Sequence, residues 1–221
     1  MFDPADVEAV GTTLGCSVQI SEHILGLGRI RTYPPKAIVL RQGDRPSAMY
    51  LIVRGRCHAL LCTADGQLVL LHEFGPGDLF GALGGLDPTA EDADVVAVEE
   101  LRSFLLEAGI LVALAERHGC IGLALSRILL KRLRATATRM YERAALSATG
   151  RVCAELLRLA RDGDAFTIRP PPVIAELAMR VGTTRETASR TVSALERRGI
   201  LRRDGQSLVV QAPQRLEAEI L

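Results

Sequence analysis

Residues 182–199 read Gly-Thr-Thr-Arg-Glu-Thr-Ala-Ser-Arg-Thr-Val-Ser-Ala-Leu-Glu-Arg-Arg-Gly. Gly182 suits the end of one helix, and Thr183 or Thr184 can cap the next. The second helix then opens with Arg185 and Glu186, brings Ser189 and Arg190 one turn later, and stops before Gly199. Its first two turns offer a guanidinium, a carboxylate and a hydroxyl to the edge of a base. The second helix of a helix-turn-helix reads the major groove in this way, so the stretch predicts a DNA-binding protein.

The neighbours agree. Val173, Ile174, Leu177, Ala178 and Val181 recur at helical spacing and predict the preceding helix, with Pro170 to Pro172 before it or at its first position. Val192 and Leu195 supply the apolar side of the second helix, away from Arg185 and Arg190. Ile200-Leu201, the turn pair Asp204-Gly205 and the run Ser207 to Gln211 then read as a β-hairpin wing. A surface helix with scattered arginines would account for the charges alone. It would not account for a cap, a turn and a wing that all point the same way.

The chain has 221 residues, room for two modest domains. It is 48% hydrophobic, yet no apolar run reaches membrane-spanning length and the N-terminus lacks the pattern of a secretory signal. A cytoplasmic protein without membrane contact is therefore expected. Five cysteines, Cys16, Cys57, Cys62, Cys120 and Cys153, stand at scattered spacing and suit reduced thiols better than a disulfide framework. The net charge of +1 hides an asymmetry, because residues 1–126 hold nine Lys/Arg against sixteen Asp/Glu and residues 127–221 hold eighteen against ten. The basic part is where a phosphate backbone would be met.

Up to about Leu27 the pattern suggests one or two short helices. From Ile30 to Leu106 it changes to short apolar runs divided by turn signals. The runs include Ile38 to Leu40, Met49 to Val53, His58 to Cys62, Leu68 to Leu71 and Val95 to Val98, with Asp65-Gly66 and Gly75-Pro76-Gly77-Asp78 among the turns. Such spacing predicts a small antiparallel β-sandwich or jelly roll. From about Gly119, Ile121, Leu125, Leu129, Leu133, Thr136 and Met140 step by three or four residues, the seam of a coiled coil. A stripe this narrow predicts a homodimer packed along that helix. Ser147 to Gly150 break the pattern and read as a hinge, and another amphipathic helix follows from Val152 to Ala160. The fold class is thus α+β: a jelly-roll β-barrel over 1–118, a dimerisation helix and hinge over 119–146, and a winged helix-turn-helix over 147–221.

This order resembles the cyclic-AMP receptor protein and fumarate-nitrate regulator family of transcription factors from about Ile30 to Val210. The residues that carry the likeness are Arg185-Glu186-Thr187-x-Ser189-Arg190, Thr149-Gly150-Arg151 and Gly77-Asp78-Leu79-Phe80-Gly81. The resemblance implies a regulator rather than an enzyme, with double-stranded DNA and RNA polymerase as partners. It implies base contacts from Arg185, Glu186, Ser189 and Arg190, and phosphate contacts from Thr184 and Thr187. Arginine pairs bidentately with guanine and glutamate accepts from cytosine, each worth about 1–3 kcal/mol of discrimination. Glu186 and Arg190, four residues apart, also predict a surface ion pair worth about 0.3–0.5 kcal/mol. A symmetric site is expected, with half-sites about 34 Å apart and a TGTGA-like or TTGA-like core.

One part of the family pattern is missing. Cyclic-nucleotide binders in the family place a Glu and an Arg-Ser pair where this chain has Ala82, Asp92 and Ala93. Glu91 and Asp94 add further negative charge, and no other arginine lies between Arg56 and Arg102. An aspartate beside a cyclic phosphate costs several kcal/mol. The pocket positions by resemblance are Gly81, Ala82, Leu83, Asp92, Ala93, Arg132, Leu133 and Thr136. The expectation is that neither cyclic AMP nor cyclic GMP is the effector in the usual pose, leaving a small apolar or anion-free effector, or none. No cofactor or metal is expected. Haem or redox sensing is the alternative, with Cys120 and Cys153 as redox candidates, although no Cys/His spacing matches a ligand set. On β-strand parity His58 and Cys62 share a face, with Cys57 opposite. A cupin-like metal enzyme would need a His-x-His pair, which His23, His58, His72 and His118 do not provide.

Overall fold

The computed structural model describes residues 2–62, 68–82 and 90–220. It divides into two compact units, Met1–Arg132 and Leu133–Leu221.

The first unit opens with α1 (Pro4–Leu14) and α2 (Val18–Leu27). Asp3 caps α1 by accepting from the Ala5 amide at 3.0 Å, and Pro4 needs no donor at the first position. Eight strands follow: β1 (Arg29–Tyr33), β2 (Ile38–Leu40), β3 (Ala48–Arg54), β4 (Cys57–Cys62), β5 (Leu68–Phe74), β6 (Leu79–Gly81), β7 (Asp94–Ala97) and β8 (Leu101–Glu107). They form two four-stranded antiparallel sheets, ordered β1-β8-β3-β6 and β2-β7-β4-β5, as the expected jelly roll requires. The sequence reading had no signal for β1, β6 or β8. Its turn at Asp65-Gly66 lies outside the described residues.

Two cores divide along the strands with period two. Met49, Leu51, Leu79, Phe104 and Leu106 face one way, against Val10, Leu14, Ile24 and Leu25 of the N-terminal helices. Ile52, Phe80 and Leu101 face the other way, against Cys57, Ala59, Val95 and Ala97 of the second sheet. Ser103, buried among them, donates to the Leu51 carbonyl at 3.0 Å, so its hydroxyl has a partner. Arg102 binds Asp6 through Nε and Nη2, at 3.2 and 2.6 Å, tying α1 to β8.

Two further helices complete the first core, α3 (Ala108–Arg117) and the start of α4 (Gly119–Ala145). Leu111 and Leu114 of α3 are buried there, and so is Ile121 of α4. This corrects the seam: Ile121 is wholly buried in its own domain and cannot face a second chain. Leu125 is partly buried against the same core. Leu129, Leu133 and Met140 are exposed, as is Thr136, and they step by four, three and four residues.

The second unit continues α4 and then holds α5 (Ala148–Asp162), a short 3-10 turn (Asp164–Phe166), β9 (Thr167–Ile168), α6 (Ile174–Val181), α7 (Arg185–Arg197), β10 (Leu201–Asp204), β11 (Ser207–Val210) and α8 (Pro213–Ala218). The expected hinge is shorter than the sequence suggested. Ser147 caps α5 by accepting from the Gly150 amide at 3.0 Å, so Thr149 and Gly150 are already helical and only Leu146 and Ser147 separate α4 from α5. β10, β11 and β9 form a three-stranded antiparallel sheet, and β9 and α8 had no counterpart in the sequence reading. One core serves the whole unit, with Val152, Leu156 and Leu157 of α5 against Leu177, Val192, Leu195, Leu201, Leu208 and Leu216. Val173 is no part of it: it precedes α6 and is 57% exposed.

Phe104 is fully buried between sheet and helices. Phe104→Ala should therefore cost about 3–5 kcal/mol, seen as a lower urea midpoint for the first unit with the transition of the second unchanged.

Candidate nucleic-acid interface

The turn between α6 and α7 is built from local rules. Gly182 takes φ 63°, ψ 54°, the left-handed conformation that costs a side-chain-bearing residue about 1–2 kcal/mol. Its amide and that of Thr183 return to the Met179 and Ala178 carbonyls at 3.3 and 3.0 Å, closing the last turn of α6. Of the two threonines expected as caps, Thr184 does it: its Oγ1 accepts from the Thr187 amide at 3.2 Å.

Arg151 holds this turn from outside. Its Nε donates to the Val181 carbonyl at 2.8 Å, Nη2 to the Gly182 carbonyl at 3.1 Å, and Nη1 to the Leu146 carbonyl at 3.0 Å. Those oxygens end α6 and α4, where helices lack internal donors and carry partial negative charge. In the sequence Arg151 stands out only as part of Thr149-Gly150-Arg151.

With α7 so placed, its two sides separate cleanly. Ala188, Thr191, Val192 and Leu195 are buried. Thr184, Arg185, Glu186, Ser189 and Arg190 are exposed, and Thr187 is half-buried. Ser193 and Arg197 are exposed too, extending the polar face by one and two further turns. The same i+4 spacing that singled out Arg185 and Ser189 would have found them.

Glu186 and Arg190 do not form the expected ion pair. Arg190 Nη2 instead lies 3.5 Å from Thr187 Oγ1. The Glu186 carboxyl sits below the usual carboxylate range, chiefly through its own backbone amide at the start of the helix, then Thr184, with Arg185 and Arg190 adding smaller effects. It is thus an ionised acceptor at neutral pH. The wing carries Arg202 and Arg203, both exposed, with Arg203 Nε 2.7 Å from Glu196 Oε1 and Arg202 Nη2 3.4 Å from Asp204 Oδ2.

The pocket candidates are only partly brought together. Gly81 ends β6 with φ 79°, and a Cβ there would lie 2.8 Å from the Ala48 carbonyl oxygen, so strand packing alone demands glycine. Ala82 donates its amide to that same carbonyl at 3.1 Å. Asp92 is exposed, Ala93 is buried in the sandwich, and Leu83 lies outside the described residues. Burial, then Asp92 and Asp44, pushes the Glu91 carboxyl up, the mark of a crowded acidic rim. Arg132 donates to the Leu79 carbonyl, and its guanidinium stands 5.2 Å from the Phe74 ring centroid, with Phe80 and Tyr50 stacked beyond. Leu133 and Thr136 fall in the second unit and are exposed there.

The histidines and cysteines are dispersed. His58 is buried with Nε2 3.7 Å from Glu73 Oε2, while Cys62 is exposed at the strand end. Cys57 and Cys153 are fully buried, and burial pushes their thiols up to about 12 and about 11. Cys153 is wholly enclosed by the core of the second unit, out of reach of an oxidant, and is a core residue rather than a redox candidate. Among the described residues no three His, Cys, Asp or Glu side chains gather as a metal site, and no single helix is long and apolar enough to cross a membrane.

A jelly roll followed by a capped, arginine-bearing helix-turn-helix with a wing defines a class, the DNA-binding transcription regulators with a cyclic-nucleotide-type sensory domain. Residues 30–118 match the cyclic nucleotide-binding domain family and residues 150–219 the Crp-like helix-turn-helix domain family. The chain is 34% identical over 174 residues to the cyclic AMP receptor protein of Thermus thermophilus, covering 78% of this chain and 79% of that one. It is 28% identical over 189 residues to a CRP-like cAMP-activated global transcriptional regulator of Mycobacterium tuberculosis, covering 83% and 84%. In fold it is similar to a CooA variant from Carboxydothermus hydrogenoformans, with a TM-score of 0.81 at 20% identity over 99% and 97% of the two chains. The chain belongs to the cyclic-AMP receptor protein and fumarate-nitrate regulator family, and it is a transcription regulator, not an enzyme.

Replacing Arg151 by Ala removes three hydrogen bonds to helix-end carbonyls. The second unit should lose about 2–3 kcal/mol, read as a lower thermal midpoint. Arg151→Lys should recover only part of it, because an ammonium cannot span three acceptors in the plane of a guanidinium.

Proposed function

We propose that the protein acts as a homodimer that binds a two-fold symmetric promoter site, each α7 reading one major-groove half-site. The exposed row Arg185, Glu186, Ser189 and Arg190, backed by a buried apolar side, is the observation that carries this reading. Thr184 and Thr187 are assigned to backbone phosphates, with the wing arginines as further candidates. For the dimer, the support is the exposed run Leu129, Leu133, Thr136 and Met140 on α4, flanked by Leu130 and Tyr141. Apolar side chains at heptad spacing are what a parallel helix pair buries. Such a regulator works in the cytoplasm and contacts RNA polymerase.

The effector is proposed to be other than cyclic AMP, or absent. One relative is named a cAMP-activated regulator and another a cyclic AMP receptor protein, yet here the rim is acidic at Asp44, Glu91 and Asp92. The Arg132 guanidinium, which stands over the Phe74 ring, is already engaged by that ring and by the Leu79 carbonyl. Haem or metal sensing is the less favoured reading, since the histidines stand apart. Any effector works by binding one arrangement of the protein more tightly than another.

Arg190→Ala should relax base preference at one position per half-site, whereas Arg134→Ala should change only the salt dependence of binding, both measured by competition binding to variant duplexes. Leu133→Asp should convert the dimer to monomer in analytical ultracentrifugation. Titration calorimetry with cyclic AMP should show no heat of binding, and micromolar affinity would contradict the reading of Asp92.

A further inference from the structure

Cys16 and Cys120 are 104 residues apart in sequence, yet their Sγ atoms lie 3.7 Å from each other. Cys16 occupies the turn between α1 and α2, where its amide donates to the Gly11 carbonyl at 2.9 Å and its thiol to the Leu14 carbonyl at 3.3 Å. Cys120 is the second residue of α4. Gly15, next to Cys16, packs against this same point, since a Cβ there would lie 3.8 Å from the Cys120 carbonyl oxygen. Both backbones are thus held in place and the sulfurs meet across a packed junction.

We propose that Cys16 and Cys120 form a reversible intrachain disulfide, a modification site for two-electron oxidants such as peroxides. A disulfide spans about 2.05 Å, so the sulfurs must close by roughly 1.7 Å, within the reach of a side-chain rotation. The reaction balances as two thiols and one peroxide giving one disulfide and two waters. One thiolate attacks the peroxide oxygen and becomes a sulfenic acid as the first water leaves. The other thiol then attacks that sulfur, and the sulfenic oxygen departs as the second water. A dithiol reductant reverses it by exchange.

Access and selectivity follow from the surroundings. Cys16 lines an open groove between α1 and α2, bordered by Phe2, Val7, Val18 and Ser21, through which a small oxidant reaches the sulfur. Burial and the adjoining Cys120 thiol push Cys16 up to about 12. Closure therefore speeds up as pH rises and more thiolate forms. Cys57 and Cys153, both fully buried, serve as internal controls.

The test uses the full chain carrying Cys62→Ser, which removes the exposed thiol. After peroxide and alkylation, trypsin should release residues 1–29 joined to residues 118–127, a mass two hydrogens below the sum, and a dithiol should separate them. Closing so long a loop should raise the thermal midpoint of the first unit by roughly 5–15 °C. Cys16→Ser and Cys120→Ser should each abolish both effects. The proposal is overturned if both thiols remain alkylatable, or if peroxide yields sulfinic or sulfonic acid without the joined peptide. It is equally overturned if isotopically mixed chains show the link running between chains.

Discussion

Everything exposed on α7 depends on where α7 starts, and that is set by the fork of Arg151. One guanidinium takes up carbonyls at the ends of both α6 and α4. A left-handed residue must follow, because the chain has to leave α6 and cap α7 within three residues, and Gly182 supplies it. The Thr184 cap then places Arg185 and Glu186 in the first turn, where the free amides of the helix start hold the carboxylate ionised. The row proposed to read bases is therefore positioned by helix-end electrostatics. The side chains that would touch a duplex are positioned by ones that would not.

The winged helix-turn-helix was legible because its signals are local. A glycine, a threonine cap and apolar residues three and four apart each act within one or two turns. The elements missed were those whose reason is distant: β9 exists because Thr167 and Ile168 pair with β11, and β1 and β8 because they pair with each other across some seventy residues. Ile121 shows the same limit. Its spacing fits a helix seam, but the jelly-roll sheet claims that face of the first turn of α4, and periodicity alone cannot say which neighbour buries a side chain. Glu186 and Arg190 had the spacing of an ion pair, yet the helix-start amides compete for the carboxylate and Thr187 meets the arginine.

In the first unit the sequence spoke through substitution more than through pattern. Asp92 stood out where a cation was expected, and the structure adds its company, Asp44 and Glu91, together with the Arg132 guanidinium that stands over the Phe74 ring. No sequence signal joined Cys16 to Cys120, since their approach depends on α1, α2 and α4 converging on one side of the sheet.

The central claim is that an exposed row on α7, presented twice by a dimer, chooses the DNA sequence. Selection from a random-oligonucleotide pool tests it most directly, run in parallel with the native protein and with Arg185→Ala. The native chain should enrich an inverted repeat with half-site centres about 34 Å apart and a G·C pair at a fixed position in each half. The variant should lose preference at that pair alone. Enrichment of no repeat, or of the same repeat by both proteins, would contradict the account.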